Sequence, residues 1–354
     1  MTYVRLLPAV SDEFRFREQS ILLIRLGKFG DVIFTLPAVH LVRTAFPRAR
    51  ITFLTYKEYA PLLEGFPGID AVLTIDKARF RGPTFFTETL SFLWRLNRSR
   101  FTLVMDFQGF GETGLLTYLS GAPVRWGRIW RETRRWPFTK AVWDSSQLHQ
   151  VDKNLDLLKR AGGLVPESIC NKFVLPNDAL AEALRFFAEH NLDPGRRTLF
   201  IQPLTSRADK NWSLEHYIGV ARFWRDRGLQ VLFGGGPNEK AALEPVRQAG
   251  FAVAAGTSPL VSAGLMKLST LVLGGDTGLL HLAVAMDKRV IMLMRLVKPS
   301  TCIPYNHPDW VILPPKGSSI SDITPNQVNE ACAQALANLE KEVRPENLQQ
   351  AILR

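Results

Sequence analysis

At 354 residues the chain exceeds the size at which a single core keeps growing, so two domains are expected. Its 46% hydrophobic content excludes a wholly disordered chain, and 44 Lys+Arg against 33 Asp+Glu give a net charge of +11. That surplus points to an anionic partner: nucleic acid, a phosphorylated lipid or a phosphorylated small molecule. Cys170, Cys302 and Cys332 lie far apart with no C-x-x-C spacing, which argues against a disulfide framework or a Cys-based zinc site. The charged first 20 residues lack the apolar core of a signal peptide, and no run approaches about 18 apolar residues, so a soluble or peripheral protein is expected.

In chain order, short β-rich apolar runs alternate with longer helical stretches, the pattern of βα units on a parallel sheet. The first half predicts strands at 21–26, 51–55, 71–75 and 103–106, and helices at 31–45, 84–96 and 112–119. A basic, Trp-rich stretch at 124–143 breaks the rhythm and reads as a long loop or lid. Helices resume at 151–161 and 178–190. The turn-rich segment 191–197 is the expected linker. Beyond it the alternation restarts, with strands at 199–202, 230–233, 252–254, 271–273 and 290–293 and helices at 214–227, 239–248, 260–268 and 279–286. An amphipathic helix at 324–339, opened by Thr324-Pro325, closes the chain. The expectation is α/β: domain 1–190, linker 191–197 and domain 198–354, with the last helix free to pack back on the first domain. Two Rossmann-like, doubly wound halves facing a central cleft would bind ligands at the carboxyl ends of their strands.

Four strand-end loops carry the candidate chemistry. Gly27-x-x-Gly30-Asp31 follows the first strand, with Lys28 inside it. It is neither the G-x-G-x-x-G dinucleotide fingerprint nor a Walker A loop, and Asp31 reads either as a helix cap or as a cleft carboxylate able to act as a base. The loop Gln202 to Trp212 offers Thr205, Ser206 and Lys210 as phosphate partners, or is simply a polar loop. Gly275-Asp276-Thr277-Gly278 opens a helix, and its free N–H groups and dipole suit an anion; His281, one turn on, is either a satisfied core residue or part of that site. The glycine loop Gly234-Gly-Gly236 leads to Glu239, which could accept from ribose hydroxyls. The six histidines form no metal-binding pair, and no D-x-D or G-x-S-x-G motif occurs, so no metal is expected.

Taken in order, these loops resemble glycosyltransferase family 9, the ADP-heptose:lipopolysaccharide heptosyltransferases. The similarity runs from about Ile21 to Leu339 and is strongest at Gly30 to Pro37, Thr205 to Trp212 and Gly275 to His281. The resemblance implies a GT-B fold with a C-terminal donor domain. It also implies an inverting, metal-independent transfer of heptose from ADP-heptose to a Kdo or heptose acceptor of the lipopolysaccharide inner core, with no cofactor. Asp31 matches the catalytic carboxylate. Lys210 matches the lysine on the donor phosphates, with Thr205 and Ser206 beside it. Asp276, Thr277, Gly278 and His281 match the donor turn, Glu239 the ribose contact and, more loosely, Thr257 the base contact.

The anionic acceptor would lie at the cytoplasmic face of the inner membrane, where a peripheral enzyme could meet it through Lys28, Arg79, Arg81, Arg125, Arg128 and Arg131. Tryptophans 126, 130 and 136 alternate with these arginines, suiting sugar faces or the lipid interface; a solvated charged loop is the alternative. Rival functions are a transferase using another nucleotide sugar and a non-catalytic nucleotide-sugar or nucleic-acid binder. The cleft motifs favour the sugar nucleotide over nucleic acid, and an ordinary NAD enzyme is disfavoured by the missing fingerprint.

Overall fold

The computed structural model describes residues 4–6, 19–78, 85–295 and 302–342. Two six-stranded sheets organise them, and both are parallel throughout. The first is ordered β4-β3-β2-β5-β6-β7, from β2 (Ser20–Ile24), β3 (Arg50–Tyr56), β4 (Ala71–Ile75), β5 (Leu103–Asp106), β6 (Val124–Ile129) and β7 (Lys140–Trp143). The second is ordered β11-β10-β9-β12-β13-β14, from β9 (Thr198–Gln202), β10 (Gln230–Gly235), β11 (Ala252–Ala255), β12 (Leu271–Gly275), β13 (Val290–Leu293) and β14 (Val311–Ile312). A short antiparallel pair, β1 (Val4–Leu6) with β8 (Leu164–Pro166), stands apart from both.

Parallel strands covered on both faces need near-continuous apolar sequence, and the central strands supply it. Ile21, Leu22, Leu23 and Ile24 of β2 are fully buried, as are Leu199, Phe200 and Ile201 of β9. Each sheet builds outward in one direction from its first strand, then jumps to that strand's other side. The two switch points therefore fall between β2 and β5 and between β9 and β12. In a doubly wound sheet the crevice for a ligand opens there, beyond the carboxyl ends of the strands.

Most predicted elements are present within a residue or two, and four features differ. The stretch 124–143 is not a long loop. It supplies β6 and β7, paired in register from Trp126 opposite Lys140 to Ile129 opposite Trp143, and buries Trp126 and Phe138. Arginines and glycine masked the apolar side of this pair.

The helix expected over 31–45 is two, Phe29–Ile33 and Leu36–Ala45. Pro37 has no N–H to bond back a turn and fits only the opening of a new helix. Likewise 239–248 contains only a short 3₁₀ turn, Pro237–Glu239, and the helix Glu244–Gln248.

The division between compact units falls at Val174/Leu175, ahead of the expected linker at 191–197. The helix Asn177–Glu189 joins the second unit because Ala179 and Ala183 pack onto Gly264 of the helix Pro259–Leu268; a methyl group at Gly264 would stand only 2.7 Å from the Ala183 side chain. The closing helix, Pro325–Glu342, also stays in the second unit, with Val328, Cys332, Ala335 and Leu336 in that unit's core.

Candidate active site

In the first unit, the chain leaves β2 through Arg25, the lone charge at the end of an apolar run. Arg25 is 4% exposed. Its guanidinium donates to Asp31 Oδ1 at 2.9 Å and to the Phe107 carbonyl just beyond β5, so it bridges the switch point. The other carboxylate oxygen of Asp31 accepts from the Lys28 N–H at 2.9 Å. Both sequence readings of Asp31 thus have a physical basis: it caps the turn and it also lines a cleft. Gly27 is required for this geometry, since a Cβ there would sit 2.5 Å from Asp31 Oδ2.

The cleft, about 280 Å³, is lined by Arg25, Asp31, Gln108, Arg128, Asp144 and Lys153 among others. Arg128 reaches in from the carboxyl end of β6, donates to the same Phe107 carbonyl and pairs with Asp144 at 3.3 Å; Lys153 approaches Asp144 at 3.1 Å. Burial, and after it the neighbouring Arg25 charge, brings Arg128 down to about 10, so it stays cationic at neutral pH. Three buried cations against two carboxylates leave the cleft suited to an anionic ligand.

Of the expected acceptor arginines among the described residues, only Arg128 lines this cleft. Arg125 sits at the opposite, amino end of β6 and spends its guanidinium on the carbonyls of Pro137, at 2.7 Å, and Ala122, at 2.6 Å. Arg131 is exposed beyond β6, at the start of the turn Glu132–Arg134, and the Lys28 side chain is exposed. Arg79 and Arg81 lie outside the described residues. Sequence reading missed Arg25, Gln108, Asp144 and Lys153. Arg25 was the one with a visible signal, a charge interrupting the strand Ile21 to Leu26.

The second unit repeats the arrangement. The loop after β9 is anchored at its far end by Trp212, buried and donating from Nε1 to the Ile323 carbonyl at 2.8 Å. Its near end is closed by Asn211 Oδ1, which accepts from the Thr205 N–H at 2.8 Å. Between them, Lys210 reaches across the switch point and places Nζ 2.5 Å from Asp276 Oδ2, just past β12. The other oxygen of Asp276 faces His281 Nε2 at 3.3 Å. Thr277 caps the helix Gly278–Ala285, its side chain accepting from the Leu280 N–H at 3.4 Å, so the helix's free N–H groups open beside Lys210.

Burial would raise the Asp276 carboxyl, but hydrogen bonds and charge from His281 and Lys210 outweigh it and hold the group at about 2. Because the folded value lies below the ordinary 3.8, ionised Asp276 stabilises the fold above about pH 4, and that contribution disappears as pH falls towards 2. It amounts to about 2 kcal/mol. In urea unfolding at decreasing pH, the stability gap between the wild type and Asp276→Asn should narrow across that window; a constant gap would refute the assignment.

The remaining expected donor residues lie on loops at the carboxyl ends of β9, β10 and β11 in the same sheet. Ser206 is exposed, and Thr205 Oγ1 donates to the Arg207 carbonyl at 2.9 Å. Glu239, following β10, accepts from the Gly236 N–H through Oε2 at 2.7 Å, so the sequence-visible carboxylate caps its own turn. Thr257, after β11, shares a 2.9 Å hydrogen bond with Ser262. Arg295, at the end of β13, pairs with Asp209 on the Lys210 loop at 2.9 Å, a contact sequence reading did not anticipate. Among the described residues, no group of three His, Cys, Asp or Glu side chains is placed to hold a metal ion.

Two doubly wound parallel sheets in one chain, each gathering charged side chains at its switch point, place it in the two-Rossmann, GT-B class of folds. The model of glycosyltransferase family 9 (heptosyltransferase) matches residues 89–325, well over half of the chain, and the chain belongs to that family. It is 24% identical over 318 residues to lipopolysaccharide heptosyltransferase 1 of Escherichia coli O18:K1:H7, covering 88% of this chain and 96% of that protein. Among solved structures, the family 9 glycosyl transferase from Veillonella parvula shares the fold with a TM-score of 0.82 at 20% identity, over 90% of this chain and 98% of that one. The E. coli heptosyltransferase WaaC with ADP matches with a TM-score of 0.74 at 23% identity, over 90% of this chain and all of that one.

Proposed function

We propose that this glycosyltransferase transfers heptose from ADP-heptose, with inversion, to the anionic inner core of lipopolysaccharide. The observation that carries the donor half is the Lys210–Asp276–His281 cluster at the mouth of the helix Gly278–Ala285. Asp276 holds one N–H of Lys210, and the ammonium keeps two more for phosphate oxygens. Lys210 and the N–H groups of Thr277 and Gly278 would then stabilise the diphosphate as negative charge develops on it, with no metal ion required. Thr205 and Ser206 would flank the phosphates, Glu239 would take the ribose through its second oxygen, and Thr257 would lie near the base.

The acceptor half rests on the first cleft. Arg128, with the buried Arg25 and Lys153, would seat a carboxylate or phosphate of the acceptor core, while Asp31 receives the proton of the attacking hydroxyl. Arg25 holds that carboxylate in one orientation, so the base is preorganised. A lipopolysaccharide acceptor would bring the enzyme to the cytoplasmic face of the inner membrane as a peripheral protein. No helix among the described residues is long and apolar enough to cross a membrane.

A thermal-shift comparison of ADP-heptose with UDP- and GDP-sugars tests the donor. A ligand at a hundredfold excess over its Kd adds about 2.7 kcal/mol, which raises the melting temperature of a unit this size by roughly 5–10 °C. The expected order places ADP-heptose first. A larger shift with a UDP- or GDP-sugar would transfer the reading to that donor, and no shift with any of them would overturn it.

A further inference from the structure

Eleven of the fifteen exposed large apolar side chains among the described residues lie between Phe85 and Trp143, all in the first unit. The helix Phe85–Arg98 is apolar on two sides. Phe92 and Leu96 face inward and are buried, whereas Phe86, Leu90 and Trp94, at i, i+4 and i+8, are 76%, 68% and 61% exposed. The core makes no use of that second stripe.

The neighbouring helix Gly111–Leu119 packs against the first and carries exposed Leu115, Tyr118 and Leu119, and Tyr118 meets the exposed Trp136 ring at 5.2 Å. The apolar surface is therefore continuous across two helices and the crossover between β6 and β7. Arginine accompanies it: Arg98 lies 5.1 Å over the Trp94 ring and Arg125 lies 5.8 Å over that of Tyr118. From Phe85 to Trp143 there are nine Lys and Arg against four Asp and Glu.

We propose that this face seats on an anionic lipid bilayer, with Phe86, Leu90 and Trp94 entering the interface and the exposed Arg95 and Arg98 meeting the headgroups. Aromatic rings with a basic rim are the composition of a bilayer-facing surface. Aliphatic Leu90, Leu115 and Leu119 add apolar area with no polar partner to offer. A second copy of the chain fits poorly, because a two-fold contact would press this positive surface against itself. The inference deepens the proposed function, since it supplies the place where the enzyme meets a lipid-borne acceptor.

The test is co-sedimentation of the full chain with vesicles of phosphatidylethanolamine containing phosphatidylglycerol, beside vesicles of phosphatidylcholine. The wild type is expected to bind the anionic vesicles more strongly, and less so in high salt. Leu90→Ser/Trp94→Ser and Arg95→Glu/Arg98→Glu should each lower the bound fraction about tenfold, with melting temperature and ADP binding kept. Equal binding by both variants, no binding by the wild type, or a dimer that Leu90→Ser/Trp94→Ser dissolves would each overturn it. Transfer to a de-acylated, water-soluble acceptor keeps the two readings apart. Loss of vesicle binding with that transfer intact supports the docking face, whereas vesicle binding without any transfer removes the enzymatic reading alone.

Discussion

Replacing Asp31 with Asn should lower turnover by about 10²–10⁴-fold while leaving donor affinity unchanged. Asparagine keeps the size of the side chain and offers one oxygen, but the amide nitrogen must then face either Arg25 or the Lys28 N–H, both of which are donors. One of the two contacts is lost, costing about 1 kcal/mol of stability in the manner of a removed cap. The fold should survive that loss, and the proposed donor site lies in the other unit. A steady-state assay with calorimetric titration of ADP separates the outcomes. If the Asp31→Asn variant turned over at the wild-type rate, Asp31 would be left with its capping role alone and the base would have to be sought elsewhere in the cleft.

The second large effect is expected at Lys210. Lys210→Met keeps the length and apolar stem but removes the ammonium from the switch point of the second sheet, and kcat/KM should fall about 10²–10³-fold. ADP should also bind more weakly, because the loss is felt in the ground state as well as the transition state. The same assay bears on the metal. With Lys210 and the helix N-terminus supplying the positive potential, the wild type should keep its rate in excess chelator. Full loss of activity there would refute the metal-free mechanism, and an undiminished kcat/KM in Lys210→Met would remove the lysine from it.

The strand-end loops proposed to hold the donor are legible in the sequence because each is local: strand, glycines, polar residue, helix start. Thr277 and Gly278 could be read as a helix entrance from their immediate neighbours. The cleft of the first unit was poorly legible for the opposite reason. Arg25, Gln108, Asp144 and Lys153 are up to 128 positions apart, and each looks ordinary among its neighbours. The Trp-rich stretch misled because strands buried against glycine and aromatic rings need not show clean alternation. Arginines that looked alike along that stretch proved unlike in space. Arg128 ends its strand at the cleft, whereas Arg125 begins the same strand at the far end.

The gathering of charge at the strand ends divides accordingly. Sequence alone determined that two βα series follow one another and that glycine-bearing loops end their first and later strands, because hydrophobic periodicity and turn chemistry are set within a few residues. Only the tertiary structure decided that Arg25 bridges Asp31 to the end of β5, that Lys210 closes on Asp276, and that the helix Asn177–Glu189 belongs to the second unit. Strand order is settled by how whole faces bury one another, and the switch points, with the side chains they bring together, exist only once that order is set.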